Sequence, residues 1–137
     1  MNVLEQQKKV VEESRTLLMA ESGIKLALIY GSYASGKFRS GSDVDIAVLF
    51  DRPIDVGRRI ELAGRLESKL GRPIDLVDIN VMSGIILRQI LFKGRVLIKK
   101  DPLAMAALIG RMIYNQSDVM PLVRRTLEER QKRFVYG

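Results

Sequence analysis

The sequence contains no histidine and no cysteine. Without them the chain cannot build a Cys/His zinc site, a haem attachment site, a disulfide bridge, a thiol nucleophile or a Ser-His-Asp triad. Any bound metal would be a hard cation held by oxygen ligands, and proton transfer would fall to Asp, Glu, Lys, Tyr or water. These two absences exclude many classes of enzyme and leave chemistry based on carboxylates.

Long apolar runs are absent as well. No stretch approaches the roughly 18 consecutive apolar residues that a membrane span needs, and the polar residues 1–9 do not resemble a secretory signal. We therefore expect a cytoplasmic protein with no membrane partner. The length of 137 residues, with 47% hydrophobic residues, predicts one folded domain over residues 1–137.

The charge is unbalanced, with 23 Lys and Arg against 16 Asp and Glu, and a net charge of +7. Most of the excess lies in residues 51–100, which carry 11 basic and 6 acidic side chains. A basic surface of this kind suits a polyanion, a nucleotide phosphate or an acidic partner protein, or is simply solvated. The sequence has no RNA-recognition signature, zinc finger or basic stripe interleaved with aromatic residues, so we do not expect direct binding of nucleic acid.

Hydrophobic patterning predicts an α/β (α+β) protein with a small mixed sheet of about four strands and helices packed against it. The predicted order is α-β-β-α-β-α-β-α-α. The strands are residues 24–30, 44–50, 74–79 and 95–99, and the helices are residues 3–22, 53–70, 83–92, 102–114 and 121–134. We expect strand 44–50 to be central because it is apolar on both faces, and strand 95–99 to lie at an edge.

Two carboxylates at the start of the second strand are the first candidate functional residues. Asp43 and Asp45 are two positions apart, so both side chains project from the same face of the strand. Like charges beside an apolar strand are costly unless a positive group lies between them. With no histidine or cysteine present, Mg²⁺ is the natural compensating cation. The alternative is a pair of solvent-exposed carboxylates at the end of a strand.

A glycine-serine turn and a third acid strengthen the metal interpretation. Gly31-Ser32 follows the first strand directly, so its backbone amides and the serine hydroxyl could face a phosphate. Asp75 interrupts the third apolar strand and could join Asp43 and Asp45 if the two strands are neighbours. Asp78 points to the opposite face and is the weaker candidate, better suited to a loop or cap.

The loop over residues 31–42 is rich in glycine and serine and could begin with one helical turn. Its basic residues Lys37 and Arg39 could neutralise phosphate charge, although exposed basic residues in loops are often only solvated. Tyr30 and Tyr33 flank the turn, where packing is their expected role and contact with a nucleotide the alternative.

These residues together carry a family resemblance. The pattern Gly31-Ser32, ten intervening residues, Asp43-x-Asp45 and then Asp75 on a later strand resembles the active-site pattern of the DNA polymerase β-type nucleotidyltransferase superfamily. The short chain resembles the minimal nucleotidyltransferase branch, which includes the antitoxins paired with HEPN-domain ribonuclease toxins. The resemblance covers most of the chain and is loosest in the C-terminal helices.

The resemblance implies a site and a reaction. Asp43 and Asp45 would bind two Mg²⁺ ions, with Asp75 completing the metal site and helping to activate the attacking hydroxyl. Gly31 and Ser32 would hold the triphosphate, assisted by Lys37 and Arg39. The reaction would transfer AMP from ATP to a tyrosine hydroxyl of a HEPN toxin, release pyrophosphate and thereby neutralise the toxin.

Two other functions remain open. The chain could neutralise a partner by binding alone, or it could transfer a nucleotide to a small molecule. The helix over residues 103–113 is apolar nearly all round, which predicts either a central position in the core or contact with a partner protein. Because 137 residues leave no room for a second domain, we expect another chain to supply the acceptor; the helices from about residue 101 could face it, and a homo-oligomer is also possible.

Overall fold

The computed structural model of the protein describes residues 2–39 and 41–114. Its elements in chain order are α1 (Val3–Met19), β1 (Ile24–Tyr30), α2 (Ser32–Ser35), β2 (Val44–Phe50), α3 (Val56–Leu70), β3 (Ile74–Asp78), a 3-10 turn (Ile79–Val81), α4 (Gly84–Lys93) and β4 (Arg95–Lys99). Residues 102–114 are also helical and are called α5. The predicted helix over residues 121–134 lies outside the described residues, so a single domain over residues 1–137 stays a prediction.

The four strands form one mixed sheet in the order β3-β2-β1-β4. β1 is antiparallel to both β2 and β4, whereas β2 and β3 are parallel. A parallel pair needs a crossover connection, and α3 provides it. The predictions that β2 is central and that β4 is an edge strand are confirmed, as is the mixed α/β class. β3 lies beside β2, which meets the condition stated for Asp75 to join the other two acids.

Helices cover both faces of the sheet, which explains why the two central strands β1 and β2 bury apolar residues on both faces. On one face, α1 and α3 pack on the sheet in a cluster that includes Val10, Leu18, Ile29, Ile46, Val48, Leu62 and Leu66. On the other face, α4 and α5 pack on a second cluster that includes Leu26, Leu28, Ala47, Leu87, Ile90 and Leu108. No described helix combines the length and the hydropathy that crossing a bilayer would require.

The prediction for α3 is wrong in its start and in part of its buried face. The helix begins at Val56, because the Asp55 side chain accepts a hydrogen bond from the backbone N–H of Arg58 at 2.7 Å and caps the first turn. The apolar spacing of the sequence predicts one face with Val56, Ile60, Ala63, Leu66 and Leu70. In the structure Val56 and Ile60 are exposed, while Leu62 and Leu66 are buried. The helix carries two overlapping apolar stripes, and contact with the sheet selects one of them.

The apolar helix α5 buries a single stripe rather than its whole circumference. Ala104, Leu108 and Met112 are buried at intervals of four residues, while Leu103 and Ile113 are exposed. A position at the centre of the core, one of the two predicted explanations, is therefore wrong for the described part of this helix. Contact of its exposed side with a partner protein stays a prediction.

Candidate active site

Gly31 joins β1 to the short helix α2 in a conformation that only glycine adopts readily. Its φ of 68° and ψ of −146° lie outside the regions open to other residues. A Cβ atom at this position would also collide with Oδ2 of Asp45. The glycine thus lets the backbone of the turn lie directly against a carboxylate of β2.

The sheet register places three polar side chains in one row. Tyr30 on β1 is the partner of Asp45 on β2, and Asp45 is the partner of Asp75 on β3. Residues opposite each other project from the same face of a sheet, and Asp43, two residues before Asp45, projects from that face as well. The three carboxylates predicted from sequence are therefore brought to one corner of the sheet, beside the Gly31 turn.

The electrostatics of this row reflect crowding of like charges. Burial, followed by the negative charges of Asp75 and Asp43 and a hydrogen bond with Asp75, raises the pKa of Asp45 from 3.8 to about 6. Burial and the charges of Asp45 and Asp75 raise the pKa of Tyr30 from 10.0 to about 12. The tyrosine therefore stays protonated, and its hydroxyl remains a hydrogen-bond donor beside the acids.

The donor chemistry of the row suits a hard divalent cation. Among the described residues no group of three or more carboxylates is arranged so that it could hold a metal ion as it stands. The crowding itself is the relevant observation, because a cation between Asp45 and its acidic neighbours would relieve the repulsion that raises the pKa of Asp45. Carboxylate oxygens are also the ligands that Mg²⁺ prefers.

Helix α2 is held in place from α1. The side-chain amide of Gln7 is buried and donates hydrogen bonds to the carbonyl oxygens of Tyr33 at 2.6 Å and Ala34 at 3.3 Å. The backbone N–H groups of Ala34 and Ser35 both donate to the carbonyl oxygen of Gly31, each at 3.2 Å, and close the short helix onto the turn. Ser32, the first residue of α2, is partly exposed.

The two predicted basic residues lie on the loop after α2 with exposed side chains. The backbone N–H of Lys37 donates to the carbonyl oxygen of Ser32 at 3.0 Å, which keeps this part of the loop close to α2. The backbone N–H of Arg39 donates to Oγ of Ser42 at 2.8 Å. Local hydrogen bonds thus involve the backbone at Lys37 and at Arg39, while the side chains of both residues are exposed.

Tyr33 and Asp78 have structural positions, as expected from the sequence. Tyr33 is fully buried and its ring stacks on Phe38 with centroids 4.0 Å apart. Asp78 is buried on the face opposite Asp75 and accepts hydrogen bonds from the backbone N–H groups of Ile54 at 3.1 Å and Asn80 at 2.9 Å. It caps the 3-10 turn and does not join the acidic row.

Sequence reasoning undervalued two residues. Tyr30 was assigned mainly to packing, but the antiparallel register sets it beside Asp45, and its place immediately before Gly31 was the available signal. Gln7 lies at a position where the spacing of Val3, Val10 and Leu17 predicts one face of α1, and the sequence alone indicates no function for it. A long polar side chain on an apolar helix face does signal a buried hydrogen bond, although the sequence does not reveal its acceptors.

Comparison with known proteins agrees with this geometry. The profile of the family described as "Polymerase beta, Nucleotidyltransferase" matches residues 12–103. Protein adenylyltransferase MntA of Shewanella oneidensis is 38% identical over 88 residues, which are 62% of this chain and 63% of the relative. The match thus spans less than two thirds of that relative. Protein adenylyltransferase MntA of Thermococcus cleftensis is 32% identical over 96 residues, covering 67% of this chain and 97% of the relative.

Solved structures give the same assignment. A toxin–antitoxin crystal structure with AMP-PNP has a TM-score of 0.70 and 28% identity, covering 85% of this chain and 98% of the matched chain. A complex of tri-AMPylated Shewanella oneidensis HEPN toxin with MNT antitoxin has a TM-score of 0.62 and 25% identity, covering 92% and 99%. With the matched profile spanning more than half of the sequence and the acidic row in place, the chain belongs to the polymerase beta nucleotidyltransferase family.

Proposed function

We propose that this protein transfers AMP from ATP to a tyrosine hydroxyl of a HEPN-domain toxin and so acts as the antitoxin. The relatives named protein adenylyltransferase and the complex of an AMPylated HEPN toxin with its MNT antitoxin support this reaction. The similar structure with AMP-PNP supports an adenine nucleotide as substrate. Because ATP is the substrate, we also propose a cytoplasmic location.

One observation carries the proposal. The strand register places Asp45 beside Asp75, with Tyr30 on the other side of Asp45. Gly31 brings the start of α2 against the carboxylate of Asp45. A glycine-serine turn beside crowded carboxylates can hold an anionic nucleotide and its cations at one point. Neutralisation by binding alone would not require this arrangement.

The acids and the turn have separate tasks in this proposal. Asp43, Asp45 and Asp75 would hold two Mg²⁺ ions, which when bound neutralise phosphate charge and stabilise the attacking and leaving oxygens. The backbone N–H and the hydroxyl of Ser32 donate hydrogen bonds to the triphosphate. Gly31 has no side chain, so the triphosphate can approach the backbone closely. Lys37 and Arg39 add positive charge from the loop.

The proposed reaction is a single displacement at phosphorus. The acceptor tyrosine oxygen forms a bond to the α-phosphorus of ATP, the bond from that phosphorus to the bridging oxygen breaks, and pyrophosphate leaves. The proton of the tyrosine hydroxyl passes to Asp75, which is exposed at the edge strand and can return it to solvent. The raised pKa of Tyr30 keeps this tyrosine protonated, so it donates a hydrogen bond rather than competing as a nucleophile.

The test is mass spectrometry of the cognate HEPN protein after incubation with this protein, ATP and Mg²⁺. We expect mass increases of whole AMP units on a tyrosine, lost in Asp43→Asn and Asp45→Asn. Asp51→Asn is the matched control, because Asp51 follows β2 at its opposite end.

Three results would contradict the proposal. An unmodified partner would exclude protein adenylylation. Full neutralisation by Asp45→Asn within an intact complex would assign the effect to binding alone. Nucleotide transfer to a small molecule, with no partner protein present, would indicate the remaining alternative.

A further inference from the structure

Helix α4 exposes an apolar and basic strip that the fold itself does not use. Leu87 and Ile90 face the core, while Ile85 is 76% and Phe92 63% exposed on the outer side. We call this strip the α4 surface; it forms an open groove of about 480 Å³ lined by Ile85, Arg88, Gln89, Phe92 and Lys93. Large apolar side chains grouped on one exposed helix face are typical of a protein-binding surface.

The charge around the α4 surface has one sign. Residues 84–100 carry five basic side chains and no acidic one. The five are Arg88, Lys93, Arg95, Lys99 and Lys100. Four of the five lie on α4 and β4, whereas Lys100 follows β4 and its ammonium donates to the carbonyl oxygen of Met19 on α1 at 3.0 Å. An occupant that combines acidic groups with apolar side chains would complement α4 and β4.

The α4 surface ends next to the candidate active site. At the end of α4, a Cβ added to Gly94 would lie 3.2 Å from the carbonyl oxygen of Ile29, so the backbones of α4 and β1 are in close contact there. β4 then begins with Arg95 paired to Ile29. Ile29 is followed directly by Tyr30 and Gly31. A protein bound along α4 would therefore reach the acidic row where it contacts the C-terminal end of this helix.

Charge also argues against two other occupants. A second copy bound through the same surface would place two basic strips against each other. Residues 115–137 of this chain carry five basic and three acidic side chains, so they add positive charge to a basic surface. Nucleic acid would satisfy the charge but not the exposed Ile85 and Phe92, which lie towards the two ends of the strip.

We propose that the acceptor protein docks on the α4 surface through a patch that combines acidic groups with apolar side chains, and that this docking presents its hydroxyl to the acidic row. This inference rests on the proposed function, because it assigns the surface that selects the acceptor of that same site. The site binds the nucleotide, and the α4 surface binds the protein.

The test separates docking from chemistry. Complex formation with the cognate HEPN protein is measured by calorimetry for Phe92→Ser and Arg88→Glu, each in the catalytically disabled Asp45→Asn background. We expect the dissociation constant to rise about tenfold or more for each variant, as truncation of a central interface residue does. In the active protein the same variants should raise KM for the acceptor, with the affinity for ATP unchanged.

Matched controls lie on α3, which covers the opposite face of the sheet. Ile60 is 65% exposed and Arg59 is exposed beside it, so Ile60→Ser and Arg59→Glu reproduce the same chemical changes elsewhere. Wild-type affinity in the α4 variants, or an equal loss in the α3 controls, would overturn the proposal. If the complex forms and depends on α4 but no AMP is transferred, the proposed reaction is wrong and the docking proposal stands. If no complex forms, the proposed reaction and the docking proposal are both wrong.

The other occupants give distinct results, each of which would overturn the proposal. A dimer in sedimentation that dissociates in Phe92→Ser would indicate a second copy. Leu87 is buried, so Leu87→Ala should lower the Tm. An equally large fall in Tm for Phe92→Ser would indicate that another part of this chain covers the α4 surface. Retardation of RNA by the wild type but not by Arg88→Glu would indicate nucleic acid.

Discussion

At Gly31 a single residue meets two separate requirements. Its backbone conformation favours glycine, and its missing side chain leaves space for Oδ2 of Asp45. The sequence predicted a close approach of backbone to phosphate here, but the contact with Asp45 depends on the pairing of β1 with β2. This contact is non-local, so no pattern within the loop could have revealed it.

We expect Gly31→Ala to abolish AMP transfer, with a loss of about 100-fold or more, because displacing the turn or Asp45 by about 1 Å misplaces the reacting groups. Gly71→Ala is the matched control, since Gly71 has a φ of 66° and no atom within 4 Å of an added Cβ. Both variants carry a conformational cost of about 1–2 kcal/mol. Equal activity in the two variants, measured as initial rates, would show that the collision with Asp45 is unimportant.

The raised pKa of Asp45 makes the stability of the metal-free protein depend on pH. The unfolded carboxyl titrates near 3.8 and the folded one near 6, so the folded state loses stability as pH rises between these values. Asp45→Asn removes this titration. We expect the variant to be more stable than the wild type by about 1 kcal/mol at pH 8, after allowance for solvent screening, and to lose this advantage near pH 4.

Chemical denaturation of both proteins in a metal chelator, at pH 4, 6 and 8, measures this difference. Asp51→Asn should follow the wild type at each pH, since Asp51 is exposed. An Asp45→Asn variant less stable than the wild type at pH 8 would mean that the carboxylate is held by a favourable contact. Added Mg²⁺ should reduce the difference in stability between Asp45→Asn and the wild type, because a bound cation stabilises the wild type with its ionised Asp45 and not the variant.

Among the elements, α2 depends most on its neighbours. Four residues cannot form a stable helix alone. The Gln7 hydrogen bonds to two of its carbonyl oxygens, together with the buried ring of Tyr33, fix the helix against α1. The position of the Gly31 turn is therefore determined partly by a residue that precedes it by 24 positions.

We expect Gln7→Leu to raise KM for ATP by several-fold and to lower the free energy of unfolding by about 2 kcal/mol, because two carbonyl oxygens lose their donor. Ser14→Ala is the matched control: Ser14 is buried on the same helix, and its hydroxyl has no partner among the described residues. Steady-state kinetics and urea denaturation measure the two effects. An unchanged KM with reduced stability would show that Gln7 supports the fold but not the turn.

Hydrophobic patterning was sufficient to predict the bounds of the central strands but not the buried face of α3. Strands β1 and β2 are apolar runs bounded by glycine and charged residues, and their predicted bounds match the structure. The buried face of α3 was predicted wrongly in part because Val56 and Ile60 continue the apolar periodicity of Leu66 and Leu70. Local periodicity cannot decide between two such stripes, because the choice depends on the angle at which the helix crosses the sheet.

For the whole molecule, the mixed topology is what assembles the candidate site. Gly31 and Asp75 are far apart in sequence, and they come together because β2 pairs antiparallel with β1 and parallel with β3. From the sequence, Asp75 could join the other acids only if β2 and β3 were neighbours, and the sequence did not show that they are. The α4 surface was not predicted, since its charge and its exposed apolar groups become one feature only when the buried side of α4 is known.

This topology leads to a prediction about ligand-linked stability. A nucleotide held between the turn after β1 and the acids of β2 and β3 connects three strands, so its binding should stabilise the fold as a unit. At ATP and Mg²⁺ concentrations about 100-fold above the dissociation constant, the stabilisation is about 2.7 kcal/mol, or roughly 8 °C in Tm for a domain of this size. We expect a much smaller shift with ATP and chelator, and little shift in Asp43→Asn.

Differential scanning calorimetry of the protein without a partner measures this effect independently of AMP transfer. Asp51→Asn should retain the full shift, because it removes one negative charge at the far end of β2 without touching the acidic row. A shift in Asp43→Asn equal to that of the wild type would place the nucleotide away from the row. Since Asp43 is exposed, its replacement should leave the Tm of the unliganded protein nearly unchanged. The lost ligand shift can then be assigned to binding rather than to a damaged fold.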